Sequence, residues 1–184
     1  STSLVMKDSP IDEVEVTIGP HGLKGTLTSP QKIEDDTIIN SEYAPPTTKV
    51  ALILHGQAGH RNYCYQRLLA HLLSREQGIY TLRIDFRGCG ASPDGPNLET
   101  EGRLLKYDLE DIQNCAEFLV SGSNPLGIKF SLSAVIGHSR GSLAMMLWAL
   151  EQTRMLHNPE TRSKAIIVPS LVNCSSRYRL TTVF

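Results

Sequence analysis

The sequence predicts an α/β protein: a mostly parallel sheet with helices on both faces, of the kind whose loops carry a site at one end of the sheet. Three observations carry this. From Val50 onward, short apolar runs alternate with longer stretches of helical periodicity, the order that parallel strands with right-handed crossovers require. The first run, Val50-Ala51-Leu52-Ile53-Leu54, is continuously apolar, as a strand covered on both faces must be. Third, Ser133 to Leu143 reads as a buried strand, a very tight turn and the start of a helix, with Gly137-His138-Ser139-Arg140-Gly141 at the junction.

Before Val50 the pattern is different. Glu13-Val14-Glu15-Val16-Thr17-Ile18 alternates polar and apolar residues, the signature of a half-exposed strand near a sheet edge. Gly19-Pro20-His21-Gly22 is a turn, and Leu23 to Thr28 pairs back as a second strand. Residues 29–48 are polar and proline-bearing, a surface connection with one short strand at Thr37-Ile38-Ile39. After the Val50 strand, Leu68, Leu69, Leu72 and Leu73 are spaced for a helix packed on the sheet. Ile79 to Ile84 is the next strand. Arg103 to Val120 is a helix with Leu104, Leu105, Leu109, Ile112, Ala116 and Leu119 on its buried side. The helix after Gly141 runs to about Gln152, with Leu143, Met146, Leu147 and Leu150 on one face, and Lys164 to Val172 is a last strand.

Composition sets outer bounds. The chain has 184 residues, 40% hydrophobic and 20% charged, which suits one globular domain spanning residues 1–184. A net charge of −1 with interleaved signs offers no footprint for nucleic acid. No apolar run approaches the ~20 residues of a membrane span, and the N-terminus lacks the layout of a secretory signal. Cys64, Cys89, Cys115 and Cys174 lie far apart with no C-x-x-C pair, so reduced thiols in a cytoplasmic protein are expected, with neither zinc nor a disulfide framework.

The chemistry concentrates at the ends of strands. In a G-x-S-x-G turn between strand and helix, the serine holds a strained backbone and the flanking glycines let strand and helix close together. That would present the Ser139 hydroxyl above the sheet, at a helix N-terminus that favours developing negative charge. His55-Gly56 and Asp85-Phe86-Arg87-Gly88 fall at the ends of two further strands, where open α/β sheets bind ligands. Gly88-x-Gly90 lacks the third glycine of a dinucleotide fingerprint, and no Gly-Lys-Ser/Thr is present.

Three segments in this order resemble the α/β-hydrolase superfamily, in detail its monoacylglycerol-lipase-like and serine-aminopeptidase-like branch. They are Leu52-Ile53-Leu54-His55-Gly56-Gln57-Ala58-Gly59, Arg83-Ile84-Asp85-Phe86-Arg87-Gly88-Cys89-Gly90-Ala91-Ser92, and Ile136-Gly137-His138-Ser139-Arg140-Gly141-Ser142. The resemblance implies a serine hydrolase of esterase, lipase or peptidase type, acting on a small acyl or peptide substrate without cofactor or metal. By it Ser139 is the nucleophile, and the backbone N–H groups of Gln57 and Arg140 form the oxyanion hole. Gly137 and Gly141 are the elbow glycines; His55, Gly56, Asp85 and Arg87 support the site structurally.

The same resemblance exposes a gap. The family's order is serine, then acid, then histidine, yet the only candidates after Ser139 are Glu151, His157 and Glu160, all ahead of the next strand. The expectation is a domain lacking its last strands at the C-terminus, inactive as it stands for want of a triad acid and histidine. The alternative is a non-catalytic pseudo-hydrolase that binds a small ligand or a protein. In either case the strand ending near Val172 becomes an apolar sheet edge open to self-association.

Overall fold

The computed structural model describes residues 11–30, 48–95 and 104–175; the Thr37-Ile38-Ile39 strand and Arg103 lie outside them. Six strands form one sheet in the order β1-β2-β4-β3-β5-β6. Strands β1 (Glu13–Ile18) and β2 (Leu23–Thr28) make an antiparallel hairpin, and β2 pairs antiparallel with β4 (Tyr80–Ile84). From there β4, β3 (Lys49–Leu54), β5 (Ser131–His138) and β6 (Ser170–Cys174) run parallel. The chain winds from β3 outward to β4 on one side and to β5 on the other. The switch point of the sheet therefore lies between β3 and β5, where Leu54 stands opposite Gly137.

Among the described residues, three α-helices cover both faces. Helix α1 (Gln66–Gln77) packs on one face over Ala51, Ile53 and Ile136. Helices α2 (Leu105–Ser121) and α3 (Arg140–His157) cover the other, against Val50, Leu52, Leu54, Leu82, Ile84 and Val135. Strand alternation sends odd and even residues of β3 into two different cores, which is why its sequence is apolar throughout.

The faces of two helices differ from the reading of their leucines. On α1, Gln66, Ala70 and Ser74 are buried with Leu69 and Leu73 packed beside them, while Leu68 and Leu72 are exposed. The small side chains at four-residue spacing let this helix lie close on the sheet. On α3 the buried residues are Gly141, Ser142, Ala144, Met145, Trp148 and Gln152, and Met146 and Leu150 are exposed. The turn before the helix presses Gly141 and Ser142 onto β3 and β5, and that fixes the rotational phase of everything after it. Helix α3 also continues past Gln152 to His157.

The last strand is shorter than Lys164 to Val172. Residues Arg162–Lys164 form a 3₁₀ turn, Ile166 and Val168 pack on the core without joining the sheet, and β6 starts at Ser170. Pro169 explains the delay, because proline has no N–H to give a ladder and restrains the residue before it.

A polar staple ties α1 to the other end of the sheet. Arg83 on β4 is fully buried and donates to Glu13 on β1 at 2.5 Å, and His71 on α1 donates to the same carboxylate at 2.8 Å. Arg61 bonds Glu15 at 2.7 Å. Burial alone would raise the Glu13 pKa; the His71 bond and the Arg83 and Arg67 charges outweigh it and hold the carboxyl below the usual 4.5.

Candidate active site

Ser139 occupies the turn between β5 and α3 with φ 49° and ψ −114°, a conformation costly for any residue with a Cβ. The neighbours enforce it. A Cβ on Gly137 would lie 2.6 Å from both the Cα and N of Ser142, and one on Gly141 would lie 2.5 Å from the His55 carbonyl oxygen. Only glycine fits at either position, so strand and helix approach closely with Ser139 at the apex. Its N–H donates to the Cys174 carbonyl at 2.9 Å, and its own carbonyl accepts from Ser142 and Leu143 at 3.1 and 3.3 Å. The Ser142 hydroxyl closes the turn onto Gly137 O. Ser139 itself is only half-buried.

The loop leaving β3 presses against this apex. A Cβ on Gly56 would fall 3.1 Å from Ser139 Cβ and 3.0 Å from His138 Nδ1. The chain then turns, with Gly59 N–H donating to Gly56 O at 3.3 Å and Ala58 at φ 53°, and Gln57 is left exposed beside the apex. His55 anchors the loop from below. It is fully buried; its Nε2 accepts the Phe86 N–H at 3.1 Å, which puts the proton of the neutral ring on Nδ1, donating to Gly56 O at 2.7 Å. A ring whose lone pair is held in this way is not placed to take a proton from Ser139.

Charged side chains brace the two loops around the elbow. Asp85 accepts from Arg61 N–H at 2.6 Å and from Ala91 N–H at 2.9 Å, and also pairs with the Arg61 guanidinium, so one carboxylate joins the loops after β3 and β4. Arg87 donates to Asp111 through Nε at 2.9 Å and Nη2 at 2.6 Å, and its backbone N–H donates to the other oxygen at 2.9 Å. Arg140 Nε donates to the buried Asp108 at 2.7 Å. Burial pushes the Asp111 carboxyl up against the three bonds it accepts, so this pair contributes position more than stability.

Asp108, Asp111 and Arg61 were not singled out from the sequence. The signal for the first two was there: Asp108 and Asp111 interrupt the apolar face of α2 at i, i+3 spacing, and carboxylates on a core face need partners. Tyr65 is a further unforeseen neighbour. Its ring meets His138 edge-on at 5.8 Å; burial, then its bond to Cys174 and the nearby Cys64, raise its pKa.

The structure also places the two acids and the histidine that follow the elbow. Glu151 lies eleven residues beyond Arg140 along α3, about 16 Å at the rise of an α-helix, and His157 about 25 Å. Glu160 is farther along the chain still, in the turn after the helix. His157 is not in a connecting loop but in the last helical turn, its Nδ1 2.8 Å from Thr153 O. His60 is exposed, with Nδ1 accepting Asn62 N–H at 3.3 Å. Among the described residues no three His, Cys, Asp or Glu side chains group as metal ligands, and no helix is long and apolar enough to cross a membrane. None of the four cysteines forms a disulfide.

A mostly parallel sheet with helices on both faces and a glycine-flanked serine at its switch point defines the α/β-hydrolase class of fold. The chain belongs to the alpha/beta hydrolase family, which its residues 51–181 match. It is 42% identical over 137 residues to the uncharacterized protein YDL057W of Saccharomyces cerevisiae, covering 71% of this chain and 38% of that protein. Among solved structures it is similar to dienelactone hydrolase from Anabaena variabilis, at 22% identity and TM-score 0.58, over 91% of this chain and 64% of that one. It is also similar to Est1E of Butyrivibrio proteoclasticus, solved with ferulic acid bound, at 25% identity and TM-score 0.55, over 75% of this chain and 48% of that one. The chain thus spans less than two thirds of the length of each of these relatives.

Proposed function

We propose that the protein is a serine hydrolase of esterase, lipase or peptidase type that works through an acyl-enzyme at Ser139. The observation that carries this is the apex itself: a half-exposed serine at φ 49°, held between two glycines that nothing larger can replace, with the Gly56 loop packed against its Cβ. A strained serine in that setting costs stability, and its use is to aim a hydroxyl. Ser139 Oγ attacks the substrate carbonyl carbon and gives its proton to a base. The oxygen that becomes negative accepts from the N–H groups of Gln57 and Arg140, at the start of α3. The C–O or C–N bond then breaks as the leaving group takes the proton, and water releases the acyl group by the same steps in reverse order.

Glu151 and His157 lie along α3 away from Ser139 and in this reading do not serve as its acid and base. In this reading the 184-residue chain alone is inactive and the longest natural form of the protein is the hydrolase. The ferulic acid held by Est1E supports a carboxylic ester as substrate. A p-nitrophenyl ester should give a burst of p-nitrophenol stoichiometric with that longer form, and an aminoacyl p-nitroanilide separates peptidase from esterase. Turnover that survives Ser139→Ala sinks the proposal.

The same gap favours one second reading, a pseudo-hydrolase that binds an acyl ligand without cleaving it. It predicts saturable binding of a fatty or aromatic acid by the longest natural form and no burst.

A further inference from the structure

Tyr65, the residue that opens α1, holds the elbow at two points. Its ring meets the His138 ring edge-on, with centroids 5.8 Å apart and planes at 89°. Its hydroxyl hydrogen-bonds the Cys174 side chain. His138 and Cys174 face each other in the last register position of β5 and β6. Alternation along the strands puts both on the α1 face, with Ala134 and Ile136. Each is joined to Ser139 through the backbone: His138 precedes it, and the Cys174 carbonyl accepts its N–H at 2.9 Å. The His138 imidazole also abuts the loop leaving β3, where a Cβ on Gly56 would lie 3.0 Å from Nδ1. One ring therefore touches both the Tyr65 phenol and the chain that leads into Gln57.

We propose that Tyr65 and His138 are positioning residues for the reaction at Ser139: together they set the gap between the Gly56-Gln57 loop and the apex, and so the spacing of the two oxyanion donors. This rests on the hydrolase reading and goes past it, since neither side chain makes or breaks a bond. Gly56 has no Cβ, so the loop meets the apex by backbone alone, and the His138 ring with the Ser139 Cβ sets how near it comes. The phenol restrains that ring in turn. Its backbone is fixed at the start of α1, where Tyr65 O accepts the Leu69 N–H at 2.8 Å, and its hydroxyl is fixed on Cys174. The tolerance is small. An oxyanion donor works at about 2.7–3.1 Å from the oxygen that becomes negative, and a misplacement of about 1 Å costs about a hundredfold in rate. A tyrosine that only filled space would leave the rate alone when another apolar side chain took its place.

The test uses the longest natural form of the protein and a p-nitrophenyl ester. Tyr65→Leu and His138→Ala should each lower kcat by about thirtyfold or more with KM within about threefold, the mark of an interaction made in the transition state. Tyr65→Phe keeps the ring on His138 and should recover most of the loss. The double variant Tyr65→Leu/His138→Ala should be little slower than either single one, because both act through the same gap. Urea midpoints followed by the near-ultraviolet signal of Trp148 report folding, and His138→Ala, which removes a half-exposed side chain, decides the matter should Tyr65→Leu unfold. A native protein that turns over while both single variants keep kcat, or lose it only in proportion to the folded fraction, overturns the positioning role and leaves the hydrolase reading standing. Equal losses in Tyr65→Phe and Tyr65→Leu, or losses that multiply in the double variant, overturn the shared gap. A native protein with no turnover overturns the hydrolase reading itself, and this assignment with it.

Discussion

Replacing Ser139 by glycine should make the protein more stable. A residue with a Cβ held at φ 49° and ψ −114° carries strain of about 1–3 kcal/mol, which glycine does not feel. Against this, glycine gives the unfolded chain more freedom and so loses about 0.5–1 kcal/mol on folding. The difference is a net gain of up to about 2.5 kcal/mol. Ser139→Ala keeps the Cβ, and with it the strain, and should change stability by less than about 0.5 kcal/mol. Urea denaturation followed by the near-ultraviolet signal of Trp148, on the buried face of the elbow helix, reads both. A useful calibration is Gly78→Ala: this glycine caps α1 at φ 61° with nothing within 4 Å of the added methyl, so it should lose about 1–2 kcal/mol from conformation alone. If Ser139→Gly proves no more stable than Ser139→Ala, the serine is unstrained and the elbow argument fails.

Three other outcomes follow from the same geometry. Gly141→Ala forces a methyl to within 2.5 Å of the His55 carbonyl and 3.0 Å of the Leu54 carbonyl, both backbone atoms, and should cost about 1–3 kcal/mol in urea melts; a change under 0.5 kcal/mol would show that helix and strand are not so close. Glu13 is held below the usual 4.5, so its stabilisation is complete above that value and is lost as pH falls through the lower folded value. Between pH 6 and 3, urea midpoints of the native protein should therefore fall more steeply than those of Glu13→Gln, and parallel curves would remove Glu13 from the staple. His157→Ala and Glu160→Ala should leave ester turnover by the longest natural form unchanged, since both lie at or beyond the far end of α3; a loss of a hundredfold in kcat from either would place the base where the fold does not.

Much of this molecule was legible in its sequence because the relevant forces are local. The strands Glu13–Ile18, Leu23–Thr28, Lys49–Leu54 and Tyr80–Ile84 followed from apolar runs and turn residues, and the elbow followed from two glycines around a serine. The helix faces were misread where contact with a neighbour, not hydrophobic content, sets the phase. Leu150 looks like core, but the close approach of Gly141 to β3 turns it outward. Pro169 shortens the final strand, since proline has no N–H for a ladder. The buried Arg83 was beyond reach, because its partner Glu13 is 70 residues away and only the fold brings them together. The braces Asp108 and Asp111 stood midway: their oddity on an apolar helix face was visible, their arginines were not.

The most direct measurement is covalent. The longest natural form of the protein, treated with a fluorophosphonate probe and digested, should carry the phosphonyl group on the peptide containing Ser139 and nowhere else, and Ser139→Ala should abolish it. A folded protein of that length that takes no label, or takes it on another serine, contradicts the account.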